Sequence, residues 1–376
     1  MIRNVLISGA GVAGLALAYW LDKAGMSVTV VELAPEFRRG GQAIDVRGVA
    51  LDVIRSMGLY DQVYALRTRL KGMSTLDANG VELERTEERT HSAGRLDSDD
   101  IEIFRDDLCE LLIGALSERV EIHYGQSISA LREEGDEVRV TFASGEEQSF
   151  DLVAGADGVY SRTRKLWFDH EAEVIRSLGV VLAIFTTPNF IGLKDWQLIH
   201  REEGLGYVIY PNLDQTELRI SVGFAPGDAP MARGDVQAQK EMIAARCAGL
   251  GGHFPEFIKA LQNGSQLYYN ELAQIRAPTW SRGRVVLAGD AAHCASPFSG
   301  QGTSLALVGA LVLARALVHN SDQLPDAMAE YEQRMRPFVL MNQDMVDMTR
   351  RTHIPDEVLT RSKNGIDIRD LLAEVA

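Results

Sequence analysis

The residues with the clearest chemical promise are glycines. Gly9, Gly11 and Gly14 stand in the run Gly9-Ala10-Gly11-Val12-Ala13-Gly14, directly after a short apolar stretch and directly before an Ala/Leu-rich one. In a strand-turn-helix setting the first glycine permits a tight turn. The second lets backbone approach a pyrophosphate, and the third lets helix and strand pack closely. The helix N-terminus then offers amide donors and a partial positive charge to the phosphates. Glu32 stands 18 residues (32 − 14) after Gly14, at the end of the next apolar run. A carboxylate there accepts hydrogen bonds from ribose hydroxyls and repels a 2′-phosphate, which suits FAD or NAD better than NADP.

A second glycine cluster decides between them. Gly289-Asp290 ends a late apolar run, and Pro297, Phe298 and Gly300-Gln301-Gly302-Thr303 follow before an Ala/Leu-rich stretch. Asp290 can accept hydrogen bonds from ribityl hydroxyls. A helix N-terminus at Gly300 to Thr303 aims donors at an anion, and reduced flavin carries its negative charge at N1 and O2. The bland alternative is a Ser/Gly turn with a structural Asp. Paired with the first turn, the cluster favours FAD. No second strand-GxGxxG-helix unit occurs, since Gly204-Leu205-Gly206 and Gly249-Leu250-Gly251-Gly252 lack the third glycine and the context. A nicotinamide donor, NADPH or NADH, is therefore expected only as a transient co-substrate.

The elements that must position these turns follow from pattern. Asn4–Ser8 and Ser27–Glu32 predict buried parallel strands flanking a helix over Leu15–Ala24 that closes at Gly25, a βαβ unit. Leu152–Ala156, before Asp157-Gly158, and Arg284–Ala288, before Gly289, predict two further strands of the same sheet. Between them Gly179–Thr187, Leu205–Tyr210 and Glu217–Phe224 are rich in Val, Ile and aromatics and separated by turn residues, which predicts an antiparallel sheet. Thr75–Leu83, with Asn79-Gly80 as its turn, predicts a hairpin of that sheet. Val236–Cys247 predicts a helix on its back, and Asp326–Arg351 a helical segment broken or kinked at Pro337. The expected fold class is α/β: a Rossmann-like FAD-binding domain with a parallel sheet, interrupted by a β-rich substrate domain, plus a C-terminal helix. The expected bounds are 1–72, 100–172 and 274–320 for the first, 73–99 and 173–273 for the second, and 321–376 for the C-terminal helical segment.

Composition excludes other classes. The chain has 376 residues, 38 Lys+Arg against 53 Asp+Glu and a net charge of −15. Such an acidic chain repels nucleic-acid backbones and anionic membrane surfaces. Hydrophobic residues at 46% and charged residues at 24% describe a globular chain. Cys109, Cys247 and Cys294 are odd in number and without CxxC spacing, so no disulfide framework or zinc site is expected, and a reducing cytoplasm is. No apolar run reaches the roughly 20 residues of a membrane helix. The glycines in Val5–Leu21 and the absence of a cleavage motif argue against a signal peptide. No GxSxG elbow occurs, and His123, His200 and His293 have no metal-ligand spacing, so no metal is expected.

These motifs carry a family resemblance. The chain resembles the class A flavin-dependent aromatic monooxygenases, the para-hydroxybenzoate hydroxylase-like group, through Gly9 to Gly14 with Glu32, Asp157-Gly158 with Arg164, and Gly289-Asp290 with Pro297, Gly300 and Gly302. It is most similar to the tetracycline-inactivating monooxygenases and related actinobacterial polyketide hydroxylases, through Arg38–Gly48 and Gly289–Gly302. The resemblance implies cofactor contacts from Leu33, Arg39, Gln42, Asp45, Asp157 and Gln301, and from Arg105 near the ribose-phosphate. It also implies a flavin that moves between buried and exposed positions. The implied activity uses NAD(P)H and O2 to hydroxylate a polycyclic aromatic or enolic compound through a flavin C4a-hydroperoxide. No side-chain nucleophile is needed, and no catalytic base is identified. The partners expected are a small aromatic substrate and O2, and the chain is expected as monomer or homodimer. An oxygen-avoiding FAD dehydrogenase or reductase, and a non-catalytic flavin- or antibiotic-binding protein, are the rival functions.

Four residues are candidates for the substrate: Arg47, Tyr207, Tyr210 and Phe298. Arg47 serves the pyrophosphate or the substrate, or forms a surface pair, with a role near the flavin favoured. Tyr207 and Tyr210 point to opposite sides of a strand, so at most one faces a cavity. Phe298 is tied to the second glycine turn. His293 follows Asp290 and either touches cofactor or is structural. Met341, Met345 and Met348 are expected on one helical face, as core or as cover for an apolar mouth.

Overall fold

The first 32 residues build strand, glycine turn, helix, strand, as their patterning requires. The computed structural model describes residues 2–37, 39–168, 174–227, 234–264, 267–348 and 354–373; Arg38 and the Arg351 end of the expected C-terminal helix lie outside them. In chain order the strands are β1 (Asn4–Ser8), β2 (Ser27–Glu32), β3 (Ala43–Val46), β4 (Met73–Leu76), β5 (Glu82–Thr86), β6 (Arg89–Thr90), β7 (Gly94–Arg95), β8 (Ile101–Phe104), β9 (Val120–Tyr124), β10 (Ile128–Glu134), β11 (Glu137–Phe142), β12 (Glu147–Phe150), β13 (Leu152–Gly155), β14 (Ile175–Pro188), β15 (Gln197–Glu202), β16 (Leu205–Pro211), β17 (Glu217–Phe224), β18 (Leu267–Ile275), β19 (Ser281–Arg282) and β20 (Val285–Leu287). The helices are α1 (Val12–Lys23), α2 (Val49–Ser56), α3 (Tyr60–Ala65), α4 (Arg105–Gly114), α5 (Arg162–Trp167), α6 (Val236–Arg246), α7 (Phe254–Asn263), α8 (Asp290–His293), α9 (Gly302–His319), α10 (Leu324–Asp344), α11 (Asp356–Lys363) and α12 (Arg369–Ala373).

The chain is α/β. One sheet runs β19-β20-β13-β1-β2-β9, parallel throughout except for β19. Its central strands are buried on both faces, which is why they read as unbroken apolar runs. Helices α1 and α9 pack against each other in the main core. α9 is long and apolar enough to cross a membrane by composition, but most of it is buried in this core. α1 begins three residues before the expected Leu15 and closes with Gly25 and Met26 donating to Asp22 and Leu21, a Schellman end.

A seven-stranded sheet, β18-β14-β17-β16-β15-β4-β5, is antiparallel except for the β15/β4 pair. Strict alternation on β16 and β17 sends Tyr207, Ile209, Leu218, Ile220 and Val222 to one face. There they bury against Ile243 of α6 and Phe254, Phe257 and Leu261 of α7. The hairpin β4–β5 edges this sheet, with the Asp77 carboxylate accepting from the amides of Asn79 and Val81 in its turn.

Two expectations are narrowed or corrected. Of the break or kink expected at Pro337, the break does not occur: α10 continues through it to Asp344. The lost hydrogen bond costs about 3 kcal/mol, and the buried Tyr331, Met335, Phe338 and Val339 hold the segment helical on both sides of the proline. The methionines form no single helical stripe. Met345 is the buried C-cap, and Met348 lies beyond the helix, 43% exposed.

Gly14 locks α1 onto β1, because a Cβ there would sit 2.0 Å from the Gly9 carbonyl oxygen. Gly14→Ala should lower stability by about 2–3 kcal/mol through overpacking. A thermal melt checks this, and an unshifted Tm would show the contact to be slack.

Candidate active site

The first glycine turn has the geometry its sequence predicts. Gly9 takes φ +111°, and a Cβ on it would meet the Ala156 carbonyl oxygen at 2.5 Å, so no other residue fits. Around Gly11, by contrast, a Cβ would find nothing within 4 Å, which leaves the backbone open to a ligand. Gly11 is the N-cap of α1 and provides no side-chain cap for its first amides. Glu32 fastens the turn to the end of β2: its carboxylate accepts from Ala10 N at 3.0 Å and Ala34 N at 2.9 Å. Leu33, beside it, is 68% exposed.

Gln42 and Arg105 meet at the start of α4, where Arg105 N donates to Gln42 O at 3.0 Å, and Arg39 pairs with Glu110 further along the helix at 2.8 Å. Asp157 closes its own loop, accepting from Ser161 Oγ and from Thr163 N and Oγ1. Its segment backs directly onto Gly9. Buried Arg164 donates to Val159 O and to Ala291 O, each at 2.7 Å, and so ties this loop to the second glycine cluster. There Gly289 takes φ +57°, and a Cβ on it would strike Ala13 Cβ at 2.5 Å. Residues 276 positions apart (289 − 13) are thus in contact. The Asp290 side chain is open to water within a recess crowded by protein atoms, and that desolvation raises its pKa.

The turn before α9 is strained. Ser296 takes φ +77°, held by its Oγ accepting from Phe298 N and its carbonyl accepting from Ser299. Pro297–Ser299 forms one 3₁₀ turn that ends at Gly300. Gln301 is fully buried, and both its amide atoms lack a partner. α9 has no side-chain cap, so the amides of Gly302 and Thr303 are unclaimed by one. Arg47 lies against this turn, with its guanidinium 3.0 Å from where a Gly300 Cβ would be and its amide donating to Ser304 Oγ at 3.0 Å. It pairs with Asp45 and donates to Ser92 O, both at 2.9 Å, while its Nε is buried without a partner. Orphaned buried polar atoms cost about 1–3 kcal/mol each. Their gathering beside two uncapped helix ends fits a polar ring system such as flavin.

Behind Arg47 is a buried carboxyl pair. Asp45 and Glu102 are opposite each other in the β3/β8 ladder. Burial, moderated by Arg47, pushes the Asp45 carboxyl up to about 7, and burial likewise raises Glu102. Thr68 Oγ1 donates to Glu102 at 2.5 Å.

The substrate candidates separate. Tyr207 is excluded: its ring packs on Phe254 at 4.6 Å and on His200 at 5.2 Å, in the apolar layer away from the cofactor turns. Tyr210 is on the other face, its hydroxyl accepting from Ala43 N at 3.0 Å. Phe298 is 42% exposed on the strained turn. His293 is a core residue, 1% exposed, against Trp280 and the Tyr331 hydroxyl, and burial lowers its pKa to about 4. Cys294 is buried, and burial holds its thiol protonated. Sequence reasoning missed Arg219, Ser92 and Glu102. Arg219 reaches Gly41 O at 3.4 Å, and the alternation of Glu217–Phe224 placed it opposite the core face.

A parallel sheet whose two glycine turns meet, Gly289 against Ala13, is the framework of a dinucleotide-binding flavoprotein. The model of the FAD binding domain family, FAD_binding_3, matches residues 3–346, and the chain belongs to that family. A Mycobacterium tuberculosis protein named uncharacterized protein Rv1260 is 42% identical over 371 residues, covering 98% of this chain and 100% of its own. A Legionella longbeachae flavin-dependent monooxygenase is 34% identical over 342 residues, covering 90% and 87%. The crystal structure of tetracycline destructase Tet(51) superposes with a TM-score of 0.86 at 30% identity, covering 100% of this chain and 97% of that one. The chain is an enzyme of the FAD-dependent monooxygenase type.

This geometry makes two predictions. Gly11→Ala should fold with stability within about 1 kcal/mol of wild type, because its Cβ meets nothing, yet bind FAD at least about tenfold more weakly. Titration of FAD fluorescence tests it, and unchanged affinity would remove the phosphates from this turn. The second concerns Asp45, whose unfolded carboxyl titrates near ~4 and whose folded one titrates at about 7. The folded state therefore holds an extra proton between those values. This stabilisation is complete below the unfolded pKa and is lost as pH rises through about 7. Asp45→Asn cannot titrate, so the Tm advantage of wild type over this variant should shrink between about pH 5 and about pH 8. Parallel Tm curves would place the proton elsewhere.

Proposed function

We propose that this chain hydroxylates a polycyclic aromatic or enolic small molecule, of the aromatic-polyketide or tetracycline-like class, using NADPH or NADH and O2. The balance is substrate C–H, O2, NAD(P)H and a proton giving substrate C–OH, NAD(P)+ and water. When bound, FAD supplies the redox chemistry, accepting hydride and activating dioxygen. The observation that carries the reading is the meeting of the two glycine turns, with the unpaired Gln301 amide and Arg47 Nε at the second of them. The superposition on a tetracycline destructase supports the substrate class.

The residues divide the work. Amides from Gly9 to Gly14 hold the pyrophosphate, Glu32 and Leu33 the adenosine end, and Arg39, Gln42 and Arg105 the ribose-phosphate region. Asp157 and Pro297 shape the loops, and Asp290 holds the ribityl chain. Amides of Gly300 to Thr303 and the Arg47 cation, itself braced by Asp45, favour negative charge on the ring. Tyr210 and Arg219 close the groove between the two sheets, which excludes water from one end of it. Phe298 sits at the open rim.

Purified protein should be yellow. It should oxidise NAD(P)H faster when a tetracycline or an aromatic polyketide is present, with matched oxygen uptake and a product heavier by one oxygen. Asp290→Ala should lose both flavin and turnover, and stoichiometric flavin in that variant would refute the ribityl assignment. NAD(P)H oxidation that proceeds without oxygen would indicate a reductase instead. Absence of any substrate-stimulated oxidation would indicate a binding protein.

A further inference from the structure

The hydroxylation proposed above leaves one proton unassigned. A phenol or enol reacts with an electrophilic oxygen far faster as its anion, so the substrate O–H must lose its proton at the site. Histidine is the side chain whose neutral ring accepts a proton near pH 7. His293 is sealed in the core, and His200 is stacked on Tyr207 in the apolar layer. His91 differs from both.

His91 opens the turn between β6 and β7. Buried groups grip this turn from several sides. Fully buried Gln197, on β15, commits both ends of its amide to it: Oε1 accepts from His91 N at 2.6 Å, and Nε2 donates to Ser92 Oγ at 2.7 Å. Thr90 Oγ1 accepts from Ala93 N at 3.0 Å. The Ser92 carbonyl accepts from Arg47 at 2.9 Å, and the Ser92 side chain also hydrogen-bonds the Glu102 carboxyl. Arg47 in turn lies against Gly300. His91 is thus the chain neighbour of the residue that braces Arg47 at the second glycine turn.

The backbone of this turn is pinned, but the ring is not. The His91 side chain is open to water, and its ring has no hydrogen-bond partner among the described residues. Protein atoms nonetheless crowd it, and that desolvation, followed by the charge of Arg201, holds its pKa below the usual histidine value. At pH 7 the ring is therefore neutral, with one nitrogen free to accept. Arg201 from β15 and Arg47 from the end of β3 are the cations near the turn, and Glu102 from β8 is the carboxyl. Arg89 on β6 is paired with Asp356 of α11. The two cations favour an oxyanion beside them and disfavour a lasting charge on the imidazole.

We infer that His91 is the catalytic base of this reaction, taking the proton from the phenol or enol O–H of the substrate. This deepens the substrate reading proposed above and rests on it. The O–H bond breaks, its electron pair stays on oxygen, and the proton forms an N–H bond on the imidazole. The ring is neither oxidised nor reduced, and its water-open side returns the proton to solvent.

His91→Gln keeps a polar group of similar reach that cannot take the proton. The side chain is exposed, so the variant should match wild type in Tm and FAD affinity. Its kcat for tetracycline hydroxylation near pH 7 should fall about 100-fold, with hydrogen peroxide released in place of hydroxylated product. In wild type, kcat/KM should drop about tenfold per pH unit once His91 is protonated. In His91→Gln this acid limb should move to the pH at which the phenolic diketone of tetracycline ionises unaided, so the variant regains most of its rate in alkali. An acid limb that stays in place in the variant, or a loss equal at every pH, would overturn the base. Wild-type protein whose NADPH oxidation tetracycline does not stimulate would instead overturn the substrate reading, and this inference with it.

Discussion

The site depends on the apolar contact between α1 and α9. Both helices are buried almost all round, α1 from Ala13 to Asp22 and α9 from Ser304 to Ala314 and beyond. Helices of that kind belong to the centre of a domain. Each is headed by one of the two glycine turns. The relative position of the turns is therefore set by close-packed side chains behind them and not by the ligand they hold. The contact of Gly289 with Ala13 completes the arrangement, since a methyl group there would push the turns apart. A cradle assembled during folding spares the cofactor the cost of ordering it.

A second constraint runs through charge. Asp45, Asp100 and Glu102 gather around Arg47 and Lys363, which pair with Asp45 and Asp100 at 2.9 Å each. Three carboxyls against two cations leave one excess negative charge among largely buried groups, and the fold resolves this by keeping a carboxyl protonated more readily. The cluster also joins segments far apart in the chain, linking β3, the approach to β8 and α11. Removing one member of such a group leaves the others buried and unpaired, which is more costly than the pair is stabilising. Arg47 is consequently held rigid at the very turn that the flavin reading needs.

The parallel sheet and its turns were legible because their signals are local. An apolar run stopping at glycine needs no tertiary information to be read as a buried strand. Gly14 is local in the same way, its Cβ position blocked by the Gly9 carbonyl, whereas Gly9 and Gly289 were readable only as parts of a spaced motif, since the contacts that demand them come from Ala156 and Ala13. His293 and Tyr207 were not separable from site residues in this way. Their neighbours, Trp280, Tyr331 and Phe254, come from distant parts of the chain, and burial depends on that assembly. Arg219 was hidden for a different reason. A lone arginine in a strand reads as solvent-facing, and only the meeting of β17 with Gly41 buries it. At Pro337 the helix does not break, because the local cost of a helical proline gave way to the core residues packed on either side of it.

The antiparallel sheet lets one of its faces vary without disturbing the other. Its period of two assigns neighbouring residues to different tasks. Ile209 and Ile220 bury against helices and hold the domain together, while Tyr210, Arg219 and Ser221 one step away face the other side of the sheet. A change on that side removes little core contact, and a change on the helix side leaves the opposite face intact. Tyr207 and Tyr210 show the division within a single strand: three residues apart, one is packed among phenylalanines and the other hydrogen-bonds the cofactor domain. The dinucleotide cradle has no such freedom, because Gly9, Gly14 and Gly289 each touch backbone or side chain of the opposing segment. Variation in such a molecule should therefore collect on alternate residues of β14, β16 and β17, where shape can change without moving the two glycine turns.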